Sequence, residues 1–214
     1  TFGVTAEEKE GKFLEDFDAT TGKNFENVPG FHEGSAWSYT FAVPHDIDGL
    51  TRLMGGKKGF IKSLQYVFDE KHYDPANEPD IVYPYLFSRV KGEEWRTQRE
   101  VKILLDSCFT AAPNGIPGND DTGTMSAWAI FSMMGFYPDT PSEPYYTLTT
   151  PVFDRIEIDT ERGTVTIEAE RPTADCHYIE SMTLGNAPLK KYRITHNELL
   201  NKRNLKFKLK AQPK

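Results

Sequence analysis

The chain has 214 residues, including 14 Phe, 10 Tyr and 3 Trp, which is enough apolar material for one large domain or slightly more and excludes a disordered chain. Lys and Arg number 25 against 32 Asp and Glu, a net charge of -7, so nucleic acid is excluded as the main partner. No run of apolar residues approaches the roughly 18 needed to cross a bilayer, and Cys108 and Cys176 have no metal or redox spacing, so both read as buried thiols.

In chain order, Phe13, Leu14 and Phe17 recur at helical spacing and predict a helix from Thr5 to Phe17, followed by a Gly/Asn/Pro-rich loop to Phe31. A helical pattern from Glu33 to Phe41 ends before Pro44. Asp46 is placed to cap a helix carrying Ile47, Leu50, Leu53 and Met54 that stops at Gly55-Gly56. Further helices are expected over Gly59 to Asp69, Trp95 to Phe109 and Met125 to Met134, with Gly135 ending the last. Beyond Phe136 the period changes to two, with strands expected at Phe153 to Ile158, Thr164 to Ala169, Tyr178 to Leu184 and Leu205 to Leu209. The fold class read from this pattern is α+β, with a helical part over 1–140 and a small antiparallel β part over 141–214. Six or so helices separated by long polar loops suit a fraction of a larger helical assembly, and the start Thr1-Phe2-Gly3-Val4 lacks both an initiator Met and a leader pattern, so a longer parent protein is expected.

Three segments place carboxylates among Gly, Asn and aromatic residues. In the segment from Phe31 to Tyr39, Glu33 stands at a predicted helix start with Trp37 four residues on, where an apolar neighbour would raise a carboxyl pKa and suit a general acid; complementing the helix dipole is the alternative. Tyr73 to Asp80 is a loop of oxygen donors, Asn77 and Glu78 among them, suited to a hard cation or equally to capping a helix near Asp80. Gly115 to Trp128 carries Asn119, Asp120 and Asp121 before an apolar helix, where backbone N–H groups would keep a general base ionised; a double-Asp cap is the alternative. One protonated and one ionised carboxyl near Trp37 and Trp128 is the layout of glycoside hydrolysis. No G-x-S-x-G, H-E-x-x-H, P-loop or G-x-G-x-x-G is present, and the five histidines are scattered. His45, in a Val-Pro-His-Asp turn twelve residues after Glu33, is the one histidine singled out, with a turn residue bonded to backbone as the alternative.

At these segments the sequence resembles glycoside hydrolase family 92, the calcium-dependent exo-α-mannosidases. The matching elements are His32-Glu33-Gly34-Ser35-Ala36-Trp37-Ser38-Tyr39, Val43-Pro44-His45-Asp46, Asn77-Glu78-Pro79, Pro84-Tyr85-Leu86-Phe87, Trp95-Arg96-Thr97-Gln98, Gly115 to Asp121, Met125-Ser126-Ala127-Trp128 and Gly135-Phe136-Tyr137-Pro138. The resemblance implies an inverting mannosidase with an N-terminal β-sandwich, an (α/α)6 barrel and a C-terminal β region, of which this chain is the closing part of the barrel and the β region. It implies Glu33 as general acid, Asp121 as base, Asn119 or Asp120 as positioning the water, and His32, Trp37 and Trp128 as substrate contacts. It also implies Ca2+ at Asn77 and Glu78, touching mannose O2 and O3. For an inverting pair the two carboxyls should stand about 6.5–9.5 Å apart.

The substrate expected is a mannose-containing glycan with terminal α-linked, chiefly α-1,2-linked, mannose. The parent's N-terminal domain is the expected protein partner, with no membrane span, and export to the periplasm, the cell surface or the medium is the expected location. Two rivals remain: a non-catalytic calcium- or mannose-binding fragment, and a sugar phosphorylase, against which the paired aspartates argue.

Overall fold

Ser35 sets the start of the first helix. Its side chain accepts from the Ser38 N–H while the Ser38 side chain accepts from the Ser35 N–H, a reciprocal cap that begins helix α1 at Ala36–Thr40. Glu33 therefore lies two residues outside the helix, and the expected i, i+4 pairing of Glu33 with Trp37 on one helical face is not formed. In this computed structural model the described residues are 8–9, 12–13, 17–21 and 31–213. The helix expected from Thr5 to Phe17 is replaced where the chain is described by two short paired strands, β1 (Glu8–Lys9) and β2 (Lys12–Phe13), in antiparallel register. The loop expected after Thr21 lies mostly outside the described residues.

The chain forms two units, Thr1–Tyr83 with Pro117–Asn119, and Pro84–Ile116 with Asp120–Lys214. In the first, Asp46 caps α2 (Ile47–Leu53) by accepting from the Gly49 N–H at 2.7 Å. Helix α3 (Lys57–Asp69) buries Phe60, Ile61, Leu64 and Val67, spaced to fall on one face. Phe41 meets the edges of Phe60 and Tyr83, with centroids 5.4 and 5.2 Å away. The fully buried Tyr83 hydroxyl donates to the carbonyls of Trp37 and Ser38 and accepts from the Phe41 N–H, so one phenol completes the backbone at the end of α1. Burial pushes that phenol well above its ordinary pKa and keeps the donor protonated.

The second unit holds α5 (Glu94–Cys108), α6 (Thr124–Met134), α7 (His196–Lys202) and the three- and five-stranded sheets; the short α4 (Tyr83–Leu86) leads into it. Gly135 ends α6 in the left-handed conformation at φ 90 and returns its N–H to the Phe131 and Ser132 carbonyls. A Cβ at that position would meet Pro151 at 2.9 Å, so glycine is required twice over. Strands β3 (Phe136–Tyr137), β4 (Tyr145–Leu148) and β9 (Arg193–Thr195) form one antiparallel sheet. A five-stranded sheet runs in the order β5 (Arg155–Ile158), β6 (Val165–Glu170), β10 (Asn204–Lys210), β7 (Tyr178–Leu184) and β8 (Ala187–Leu189). β10 pairs antiparallel with β7 but parallel with β6, Leu205 opposite Ile167, so this sheet is mixed where an antiparallel one is expected from the sequence. Alternation places Val165, Ile167, Leu205, Phe207 and Leu209 in one core with Phe136, Leu148 and Ile194.

Both cysteines are free; Cys176 is buried, whereas Cys108 is only partly so and departs from the expected burial. Cys176 lies just before β7.

Candidate active-site residues and the family of the chain

In the first unit, His32, Glu33 and Asn77 are brought together by backbone bonding. The Tyr39 hydroxyl, carried on α1, donates to the His32 carbonyl at 2.6 Å. The Asn77 side-chain amide donates to the next carbonyl, that of Glu33. Glu33 itself has φ 50, in the left-handed region that non-glycine residues rarely occupy. Its carboxylate is 55% exposed and lies 3.7 Å from the His32 imidazole, so the dry, apolar setting expected from Trp37 is not present around it in this chain. Trp37 instead stacks flat on the buried His72 ring at 5.2 Å and tilts against Tyr66 at 5.3 Å.

Asn77 is 2% exposed and precedes a single 3-10 turn, Glu78–Asp80. Asp80 is fully buried; its Oδ2 accepts from the Asp74 N–H at 2.9 Å, and its Oδ1 accepts no hydrogen bond among the described residues. Burial, then the neighbouring charges of Asp74 and Glu78, push the Asp80 carboxyl well above the usual carboxylate range. Gly118 passes so close to this loop that a Cβ there would meet the Ala76 carbonyl at 2.7 Å. Asn119, the next residue, is exposed.

In the second unit the two aspartates divide their work. Asp120 Oδ1 accepts from the Ser126 N–H at 2.8 Å, satisfying one of the first N–H groups of α6. Asp121 uses only its backbone carbonyl, which accepts from the Thr124 N–H and from the Thr124 hydroxyl at 2.7 Å. Its exposed carboxylate takes no hydrogen bond among the described residues, so the helix N–H groups expected to hold it fall to Asp120 instead. Asp121, Thr122 and Gly123 have φ 38, 60 and 88, three successive residues in the left-handed region. Trp128, expected as a sugar platform, is 2% exposed, with Phe109 stacked on it at 5.5 Å and Tyr85 meeting it edge-on. It is a core residue of this unit, and its faces are occupied by protein.

The sequence matches the glycosyl hydrolase family 92 catalytic domain over residues 3–211. The chain belongs to glycosyl hydrolase family 92. A protein from Arthroderma benhamiae named an uncharacterized secreted glycosidase is 29% identical over 182 residues, 83% of this chain and 23% of its own length. A family GH92 inverting mannosidase from Bacteroides thetaiotaomicron shares 28% identity at a TM-score of 0.82, over 95% of this chain and 30% of that one. A family GH92 α-mannosidase from the same organism, solved with mannoimidazole, superimposes at a TM-score of 0.87 over 99% of this chain and 30% of that one; at 24% identity it speaks to the fold alone. The GH92 chain described here thus spans less than a third of the length of these relatives.

The donors on the Asn77 loop of this GH92 chain are oxygen-only: a carboxamide, the Glu78 carboxylate and the buried Asp80, whose second oxygen is unpartnered. That chemistry fits a hard cation. No group of three or more His, Cys, Asp or Glu is assembled for a metal among the described residues, so an ion held at Asn77 and Glu78 would complete its coordination with backbone, water or substrate oxygens. Tyr39 is the residue that sequence reading passed over. Its signal was its place seven residues after His32, beyond a Gly-Ser turn that folds α1 back on the motif.

Proposed function

We propose that the protein to which this chain belongs is an exo-acting α-mannosidase that removes terminal α-linked mannose, chiefly α-1,2-linked, with inversion. The observation that carries this reading is the backbone at Glu33 and Asp121. Both are carboxylates held at positive φ, 50 and 38, within two of the carboxylate-bearing segments that carry the sequence resemblance, and non-glycine residues keep such conformations where the surroundings enforce them. The 28% identity to an inverting mannosidase supports the same choice of reaction.

In this mechanism Glu33 donates a proton to the glycosidic oxygen as the C1–O bond breaks. Asp121 takes a proton from a water that attacks C1 from the opposite face, so β-mannose leaves with the shortened glycan as an alcohol. His32, beside Glu33, and Trp37 contribute to sugar binding, and Asn119 helps place the water. Calcium held by Asn77 and Glu78 would supply positive charge and coordination to mannose hydroxyls. Residues 1–140 form the closing part of an (α/α)6 barrel and residues 141–214 its C-terminal β region, with an N-terminal β-sandwich elsewhere in the protein. Export is supported by the fungal relative named secreted.

The exposure of both carboxyls in the isolated chain favours a second reading for this piece alone, binding without turnover. The test is hydrolysis of α-1,2-mannobiose by the full-length protein, with calcium and with a chelator, following the released anomer by NMR. Calcium-dependent release of β-mannose, lost by at least about 100-fold in Glu33→Gln, is expected. Near-normal turnover in that variant, or release of α-mannose first, refutes the assignment.

A further inference from the structure

Two donors grip two successive carbonyls around Glu33. Tyr39 reaches the His32 carbonyl from α1, and Asn77 reaches the Glu33 carbonyl from the loop before the 3-10 turn. Gly34, the residue after Glu33, leaves little room for a side chain: a Cβ there would lie 3.1 Å from the Tyr39 ring, 3.2 Å from Ser38 and 3.3 Å from the Asn77 amide. Each donor is itself fixed. Tyr39 sits on a helix whose end is completed by the buried Tyr83 hydroxyl, and Asn77 is 2% exposed, its N–H bonded to the Asp74 carbonyl and the Asp74 N–H bonded to Asp80.

We propose that Tyr39 and Asn77 are positioning residues for Glu33, a clamp that holds its backbone in the left-handed conformation and so fixes the direction of its carboxyl toward the leaving oxygen. The proposal rests on the reading of Glu33 as general acid. A residue left to relax from φ 50 to the ordinary negative range would swing its side chain by far more than the ångström that suffices to spoil proton transfer. Asn77 would then have two duties, its amide nitrogen on the Glu33 carbonyl and its oxygen toward a cation that Glu78 would share, so the loop that would hold the ion also holds the acid.

Leaving-group dependence separates positioning of an acid from general damage, because an activated aryl mannoside departs without a proton whereas an alkyl mannoside needs one. In the full-length enzyme at saturating calcium, kcat/KM would be measured for Tyr39→Phe, Asn77→Ala, Gly34→Ala and Glu33→Gln on 2,4-dinitrophenyl and on methyl α-mannoside. Glu33→Gln should lose about 100-fold or more on the alkyl substrate and little on the aryl one. Tyr39→Phe and Gly34→Ala should show the same selective loss at about 10- to 100-fold, and Asn77→Ala, which also removes a proposed calcium ligand, should lose on both substrates but about 10- to 100-fold more on the alkyl one. Equal losses on both substrates, or none, in the clamp variants while Glu33→Gln stays selective overturn the clamp and leave the acid in place; an unselective Glu33→Gln overturns both. A second readout is independent of turnover: in crystal structures of Tyr39→Phe and Asn77→Ala, residue 33 should leave the positive-φ region, and its retention in both variants refutes the proposal.

Discussion

The neighbouring aspartates at the start of α6 offer a direct separation of stability from catalysis. Asp120→Ala removes the acceptor of the Ser126 N–H, a 2.8 Å bond at an exposed helix terminus. Loss of such a cap costs about 0.5–2 kcal/mol, and water can replace the acceptor here, which places the cost near 1 kcal/mol. For a chain of this size that lowers Tm by roughly 2–4 °C. Asp121→Asn keeps a residue that tolerates φ 38 and disturbs no side-chain hydrogen bond among the described residues, so stability should stay within about 0.5 kcal/mol. Turnover should fall by about 100-fold or more if Asp121 acts as the proposed base. Thermal melts and initial rates of the two variants decide the matter. The assignment is refuted if Asp121→Asn melts several degrees lower, or if Asp120→Ala loses turnover as deeply as Asp121→Asn.

Two further outcomes follow from the second unit. Asp139, its side chain wholly buried, accepts from Arg89 Nη2 at 3.1 Å, and the same nitrogen reaches Thr140 and Tyr145. Asp139→Ala strands a guanidinium that is four-fifths buried and should cost about 3–5 kcal/mol, whereas a melt within about 2 °C of wild type would show that the pair is not coupled. Tyr137 has its phenol pushed up to about 12 by burial and by the charge of Asp139. The folded form thus holds its proton more tightly than the unfolded form, so this contribution to stability is intact below pH 10 and is lost as pH rises through about 12. Tyr137→Phe should flatten the alkaline limb of a stability–pH curve over that window, and an unchanged limb would contradict the burial argument.

Helix ends were the most legible part of the fold because each rests on one residue with one job. Asp46 at the start of α2 and Gly135 at the end of α6 do what their side chains, or the lack of one, dictate. The same rule was available for α7, where Thr195 and Glu198 form a reciprocal cap, yet seven helical residues between two strands leave no periodic pattern to draw attention to it. The N-terminal helix failed for the opposite reason. Phe13, Leu14 and Phe17 fit helical spacing, but Lys9 pairs with Lys12 and Glu8 with Phe13, a strand register that the spacing of three apolar residues does not reveal. At the candidate site, motif order singled out Glu33 and Asp121, whereas their surroundings depend on contacts far apart in sequence. Asn77 reaches Glu33 across 44 positions, and Trp128 is enclosed by Phe109 and Tyr85.

The turn at Asp121 shows what such contacts add to a motif. Thr122 is β-branched and sits at φ 60, where a β-branched side chain is a genuine outlier, although Gly123 beside it shows that glycine is used freely in this turn. The turn is held closed by the Thr124 N–H and hydroxyl on the Asp121 carbonyl and by the Met125 N–H on that of Asp120. Relieving a left-handed non-glycine residue returns about 1–2 kcal/mol, and the extra freedom of glycine in the unfolded chain takes back about 0.5–1 kcal/mol. Thr122→Gly should therefore raise stability slightly, by about 0.5 kcal/mol, while leaving the proposed base Asp121 less firmly directed and lowering kcat several-fold with KM little changed. If Thr122→Gly instead melts lower by more than about 2 °C, the threonine side chain contributes packing that outweighs its backbone cost. If it melts higher with kcat intact, the left-handed turn is a neutral feature of the loop and the strain argument for Asp121 falls with it.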